Sequence, residues 1–321
     1  MRVLSGIQPT GEFHVGNYFG AMRQYVDLQK QADNDCYYFI ANYHALTSIR
    51  EPELLRSLTQ DVLLNFLAFG IDPDRSVLFR QSDVPEVTEL TWILSCITPM
   101  GLLERCHAYK DKVSQGIPAD HGLFAYPVLM ASDILIYDSN LVPVGQDQKQ
   151  HVEVTRDLAI KFNQMYGETL VVPEPYILEN VAVVPGVDGR KMSKSYDNTI
   201  PVFADDKVIK KRIMSIVTDS TPVEDPKDPD TCNVFALYKL FAAPEETAEM
   251  AERYRAGGVG YGEVKKRLVA LFFDYFAEAR ARKRELLNDP GMVEEMARAG
   301  AAKARAKARE VLDRCRSAAG F

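Results

Sequence analysis

The sequence predicts an α/β protein: a parallel sheet flanked by helices, followed by a helical second domain. Three observations carry this expectation. Short apolar runs alternate with helix-period segments through the first 190 residues. Strand signals stop near Lys207 and only helical patterns follow. The charge also changes, with 14 Lys+Arg against 24 Asp+Glu over residues 1–190, but 24 against 21 over residues 191–321. At 321 residues the chain has length for two domains, and we place them at 1–190 and 191–321.

Candidate strands are Arg2–Leu4, Cys36–Ala41, Val77–Arg80 and Leu141–Val144, each a short apolar run. Between them, Asn17–Gln29 can open a helix. Glu53–Phe69 carries apolar residues at helical spacing, with Pro52 suited to its first turn and Gly70 to its end. Asp147–Met165 reads as a long amphipathic helix stopping at Gly167. Strands alternating with helices in this way make a Rossmann-like nucleotide-binding domain, whose ligands sit at the carboxyl ends of strands. In the second part, helices are expected over 207–217, 233–242, 244–256, 261–288 and 291–317. The last is Ala-rich, with seven basic residues against two acids over 296–316.

Composition narrows the class. The net charge of −7 is unusual for a nucleic-acid binder, so a polyanion would be met mainly by the second part; a solvated mixed-charge surface explains the asymmetry equally well. No apolar stretch approaches the ~20 residues needed to cross a bilayer, and Met1–Gly6 reads as a core strand rather than a signal segment. The five cysteines are scattered, with no Cys-x-x-Cys pair. That argues against a disulfide framework or structural zinc and for a reducing, cytoplasmic setting.

Two motifs suggest phosphate chemistry. Gln8-Pro9-Thr10-Gly11 and His14-Val15-Gly16-Asn17 follow the first strand and precede a helix. A turn of this kind converges backbone N–H groups on an anion. Gly16 permits close approach of a ligand, and His14 and Asn17 offer donors. Lys191-Met192-Ser193-Lys194-Ser195 follows the turn-rich Pro185–Arg190, which implies a mobile loop. Its two lysines and small hydroxyl residues suit a pyrophosphate that is held and then released. Taken singly, a satisfied turn histidine and a plain basic loop remain the bland readings. No Walker-type phosphate loop is present. A third segment, Tyr126-Pro127-Val128-Leu129-Met130-Ala131-Ser132-Asp133, places Tyr126, Met130 and Asp133 on one helix face at i, i+4 and i+7. A carboxylate on so apolar a helix needs a hydrogen-bond donor. A backbone N–H or an arginine elsewhere in the fold would also serve.

His14–Asn17 and Lys191–Ser195, in this order, resemble the two ATP-binding signatures of class I aminoacyl-tRNA synthetases. The segment Tyr126–Asp133 makes the chain similar to their tryptophan-specific, bacterial-type members. The resemblance extends through Ile216–Ser220, Cys232–Lys239 and Gly260–Lys266. It implies a ligase that forms tryptophanyl-adenylate from L-tryptophan and ATP with Mg²⁺, then esterifies tRNA(Trp); it also implies a homodimer. His14, Asn17, Lys191 and Lys194 would be catalytic. ATP would be held by Gln8, Pro9, Thr10, Gly16, Asn17, Gly145, Gln146, Asp147, Val183, Lys191, Met192, Ser193, Lys194 and Ser195. Gln146 stands where relatives often have Glu. Asp133 would accept the indole N–H, a donor with no acceptor function, with Met130, Tyr126, Gln148 and His44 completing the tryptophan pocket. Many relatives carry an acid where this chain has Asn42, which leaves its role open. No protein metal site is expected, Mg²⁺ arriving with ATP. Rival readings are a tyrosine-specific synthetase, which usually has a polar glutamine at Met130, a small nucleotidylyltransferase and a non-catalytic RNA-binding paralogue.

Overall fold

Five strands form one sheet in the order β3-β2-β1-β4-β5, every pair parallel. They are β1 (Arg2–Ile7), β2 (Asp35–Ile40), β3 (Ser76–Arg80), β4 (Leu141–Val144) and β5 (Glu174–Ile177). The computed structural model describes residues 1–106, 109–110, 120–145, 148–177 and 184–321. Register is set by pairs such as Arg2↔Asp35 between β1 and β2 and Cys36↔Ser76 between β2 and β3. The four expected strands lie where the apolar runs placed them. β5 was not anticipated: it contains Pro175, which a sheet tolerates at an edge because no ladder N–H is lost inward. Strand order reverses between β1 and β4, and in open parallel sheets ligands bind beyond the carboxyl ends of such a pair.

The chain divides into two compact units. One unit comprises Met1–Thr10, Tyr25–Asn180 and Asn288–Phe321; the other comprises Gly11–Gln24 and Val181–Leu287. The cut near 180 lies close to the expected 190, but each unit also takes a segment from the far side of it.

The first unit claims the terminal helix, Pro290–Ala319, for a packing reason. Val293, Ala297, Gly300, Ala301, Ala304, Ala308, Val311, Leu312 and Cys315 form one buried stripe along it. The small residues let the helix approach β3 closely: a Cβ on Gly300 would lie 1.8 Å from the Leu78 carbonyl oxygen. Its basic residues hold it there. Arg305 and Arg309 reach Glu86 at 2.8 and 2.9 Å, and Lys307 and Arg314 reach Asp138 at 2.7 and 2.6 Å. Arg316 pairs with Glu89 and Lys303 with the Pro73 carbonyl, while Arg298 pairs with Glu294 one turn away on the same helix. The positive charge that composition assigned to a polyanion is, on this helix, engaged by the protein's own groups.

The second unit is helical, with Asp206–Met214, Asn233–Tyr238, Pro244–Ala256, Tyr261–Tyr275 and Ala277–Leu287. The helix expected over 261–288 breaks at Phe276, whose buried ring packs edge-on against Tyr18, Phe241 and Phe272. Among the described residues no helix is long and apolar enough to cross a membrane.

Candidate functional site

In the second unit the two signature motifs meet. His14 caps the short helix Val15–Asn17. Its Nδ1 accepts from the Asn17 backbone N–H at 3.3 Å, while Asn17 Oδ1 accepts from the His14 N–H at 3.2 Å. Burial, aided by the positive charge of Lys194, lowers the pKa of His14 to about 4. The ring is therefore neutral at pH 7, and with Nδ1 accepting, the proton sits on Nε2 as a donor. Gly16 is needed for a reason the sequence did not show. A Cβ there would stand 3.0 Å from the His14 ring and 3.3 Å from Met192 Cβ, so the protein itself makes the close approach. The Gly16 N–H points to Met192 Sδ at 3.2 Å, and Lys194 Nζ donates to the Gly11 carbonyl at 3.0 Å.

The Lys191–Ser195 segment is framed by hydrogen bonds on both sides. Met192 is buried, its N–H donating to the Val184 carbonyl at 2.8 Å, whereas Lys191, Lys194 and Ser195 are exposed. Asn198, 1 % exposed, organises the turn: it accepts from the Ser193 N–H at 2.7 Å and donates to Asp188 Oδ1 at 2.7 Å and the Lys191 carbonyl at 3.1 Å. That bond to Asn198 is the main influence holding Asp188 below the usual carboxylate range. Sequence reasoning passed over Asn198, since a polar residue in a turn-rich stretch carries no distinguishing signal.

In the first unit Gln8, Pro9 and Thr10 follow β1 directly and Gly145 follows β4, so they flank the reversal point of the sheet. Gln146, Asp147 and Val183 lie outside the described residues. Gln148 precedes the helix Lys149–Tyr166, its N–H on the Gly145 carbonyl at 3.0 Å. On the helix His121–Leu135, Tyr126 and Met130 are half-buried and Asp133 is 2 % exposed. His44 lies beside it, with Nε2 2.8 Å from Asp133 Oδ2 and its ring 6.2 Å from that of Tyr126. Tyr126 Oη is 3.1 Å from His151 Nε2. A cavity of about 400 Å³ is lined by His44 and Tyr126 together with Leu46, Thr88 and Leu129, though not by Asp133 or Met130.

Among the described residues Asp133 differs from Glu86, the other buried acid of this unit. Glu86 is neutralised by Arg305 and Arg309, whereas Asp133 has no Lys or Arg partner among the described residues. Burial raises its pKa, and the hydrogen bonds from His44 and Gln81 work against that. Gln81, 1 % exposed, donates from Nε2 to both carboxylate oxygens at 2.9 Å. Nothing in the sequence singled out Gln81. No group of three or more His, Cys, Asp or Glu among the described residues could hold a metal ion.

The class of protein follows from comparison: residues 1–277 match the family described as tRNA synthetases class I (W and Y), and the chain belongs to this family. It is 58% identical over 321 residues to a tryptophan–tRNA ligase of Rhodopirellula baltica, covering 100% of both chains. A tryptophan–tRNA ligase of Fusobacterium nucleatum is 53% identical over 321 residues, covering 100% of this chain and 98% of that one. The crystal structure of tryptophanyl-tRNA synthetase from Campylobacter jejuni complexed with ADP and tryptophan superposes with a TM-score of 0.95, at 52% identity, over 100% of both chains.

Proposed function

We propose that the protein is a tryptophan–tRNA ligase. The observation that carries this reading is Asp133: a buried carboxylate with no Lys or Arg partner among the described residues, on the helix face shared with Met130 and Tyr126. Such a group suits a ligand with a donor and no acceptor, as an indole N–H is. Tyrosine would ask for a donor and an acceptor at its hydroxyl, and Met130 has no donor and only a weak sulfur acceptor. Pockets built around one hydrogen bond discriminate by ~10⁴–10⁵, so phenylalanine is rejected without editing.

In the first step the tryptophan carboxylate attacks the α-phosphate of MgATP in line, breaking the bond to pyrophosphate and leaving tryptophanyl-adenylate. Neutral His14 donates from Nε2–H to the developing charge, while Lys191 and Lys194 take the pyrophosphate; Gly16 and the segment's backbone fix their spacing. Such transfer asks for positioning and charge stabilisation rather than a protein nucleophile. In the second step a ribose hydroxyl of the terminal adenosine of tRNA, by family analogy the 2′-OH, displaces AMP. Tyr126 and Gln148 hold the α-amino group, and Gln8–Thr10, Gly145–Asp147 and Val183 contact the nucleoside.

With the terminal helix committed to β3, the tRNA surface falls to exposed cations of the second unit, among them Lys207, Lys210, Lys211, Lys266 and Arg284. The protein works as a homodimer, and the exposed Trp92 and Met100, 70 % and 63 % accessible, are large apolar side chains that a second copy would cover. The five free cysteines fit a reducing cytoplasm. Charging of bulk bacterial tRNA with labelled amino acids tests the reading: tryptophan is esterified and tyrosine is not, and tyrosine charging would overturn the pocket assignment.

A further inference from the structure

The Asp133 carboxylate is held by more than the helix that carries it. Gln81 follows β3, and its side-chain Oε1 accepts from the Tyr43 backbone N–H at 2.9 Å. That contact fixes the orientation of the amide, so Nε2 faces Asp133, 2.9 Å from Oδ1 and 2.9 Å from Oδ2. The neighbouring residues tie the same two loops together: Asn42 Nδ2 donates to Ser82 Oγ at 2.8 Å, and the Ser82 N–H donates to Asn42 Oδ1 at 3.0 Å. Asn42 thus acts at the loop junction, and through it His44 and Gln81 converge on one carboxylate.

Counting acceptors gives the consequence. An ionised carboxylate only accepts, with about four lone-pair sites on two oxygens. Oδ2 receives His44 Nε2 at 2.8 Å and Gln81 Nε2 at 2.9 Å. Among the described residues, Oδ1 receives Gln81 alone, at 2.9 Å. We propose that Gln81 is a positioning residue for substrate selection: it clamps Asp133 so that the remaining lone pair of Oδ1 is the acceptor for the indole N–H. The inference rests on the tryptophan reading of this pocket. Gln81 touches no reacting atom; it acts through the carboxylate, and its loss lets that group turn or accept a proton.

The test compares two substrates in pyrophosphate exchange with the full-length protein: L-tryptophan and β-(3-benzothienyl)-L-alanine, which has sulfur in place of the N–H. Gln81→Met loses both the donor to Asp133 and the acceptor for Tyr43; Gln81→Glu keeps the acceptor but sets a second carboxyl beside Asp133, and the buried pair shares one proton instead of the fixed amide bonds. In each variant kcat/KM for tryptophan falls about 10-fold or more, chiefly through KM, as loss of a bond to a charged group requires. The benzothienyl substrate changes little, so the preference for the N–H collapses. An unchanged preference in Gln81→Met, or an equal fall for both substrates, overturns the proposal, because a role limited to bracing Tyr43 predicts those outcomes. Unsubstituted protein that does not use tryptophan refutes the functional reading and this inference with it, a failure visible before any variant is made.

Discussion

The state of His14 gives the most exacting prediction. The ring is 5 % exposed, caps its own helix through Nδ1, and has Lys194 as a charged neighbour. Its pKa is lowered from 6.5 to about 4. Between those values the unfolded chain binds a proton that the folded chain refuses, so stability rises with pH across that window and is lost as pH falls through it. The gap corresponds, at ~1.4 kcal/mol per decade, to about 3 kcal/mol of stability lost by about pH 4. The perturbation is a descent in pH from 7, applied to the protein and to His14→Asn. Denaturant unfolding at each pH gives the free energies, and the difference between the two proteins isolates this ring from the carboxylates that also titrate. The unsubstituted protein loses more stability than the variant. The imidazole signals of His14 in NMR stay neutral down to about pH 5 and titrate near 4. Lys194→Met raises that value, but only part of the way to 6.5, because burial is the larger cause. A His14 that titrates near 6.5 would refute both the neutral-donor role and the close packing of the two signatures.

Other substitutions test other links. Lys194→Ala slows adenylate formation by about 10²–10³-fold while leaving the melting curve intact, as removal of one charge-stabilising donor does; stopped-flow fluorescence measures it. Asn198→Ala, which removes three hydrogen bonds from the 188–193 turn, raises KM for ATP with little effect on KM for tryptophan. Gly300→Ala drives a methyl into the Leu78 carbonyl and destabilises the protein by about 2 kcal/mol in spite of alanine's better helix propensity, read as a lower denaturant midpoint. Trp92→Glu shifts the protein from dimer to monomer in light scattering.

The fold was legible where period and length agreed. β1 to β4 are short apolar runs bounded by polar turns, and the helix spacing of Tyr126, Met130 and Asp133 is visible in the sequence alone. β5, Glu-Pro-Tyr-Ile, has too few apolar residues in a row to mark a strand, whereas β4 was read in spite of Pro143. The terminal helix was seen, but its place was not: Ala and Gly at helical spacing are compatible with many partners, and only the surface of β3 makes Gly300 necessary. Its cations read as a binding face because charge in a sequence does not reveal that Glu86 and Asp138 wait opposite. Likewise His14 and Asp133 stand out as reactive side chains in improbable places. Gln81 and Asn198, two amides that orient them or their loop, gain meaning only from contacts made 52 and 5 residues away.

The most direct test of the account is amino-acid-dependent ATP–pyrophosphate exchange, run with each proteinogenic amino acid separately. Exchange with tryptophan alone, abolished in Asp133→Ala while ATP binding persists, is the predicted result. Exchange with tyrosine, or undiminished tryptophan exchange in the variant, would contradict the assignment of Asp133 as the group that selects the substrate.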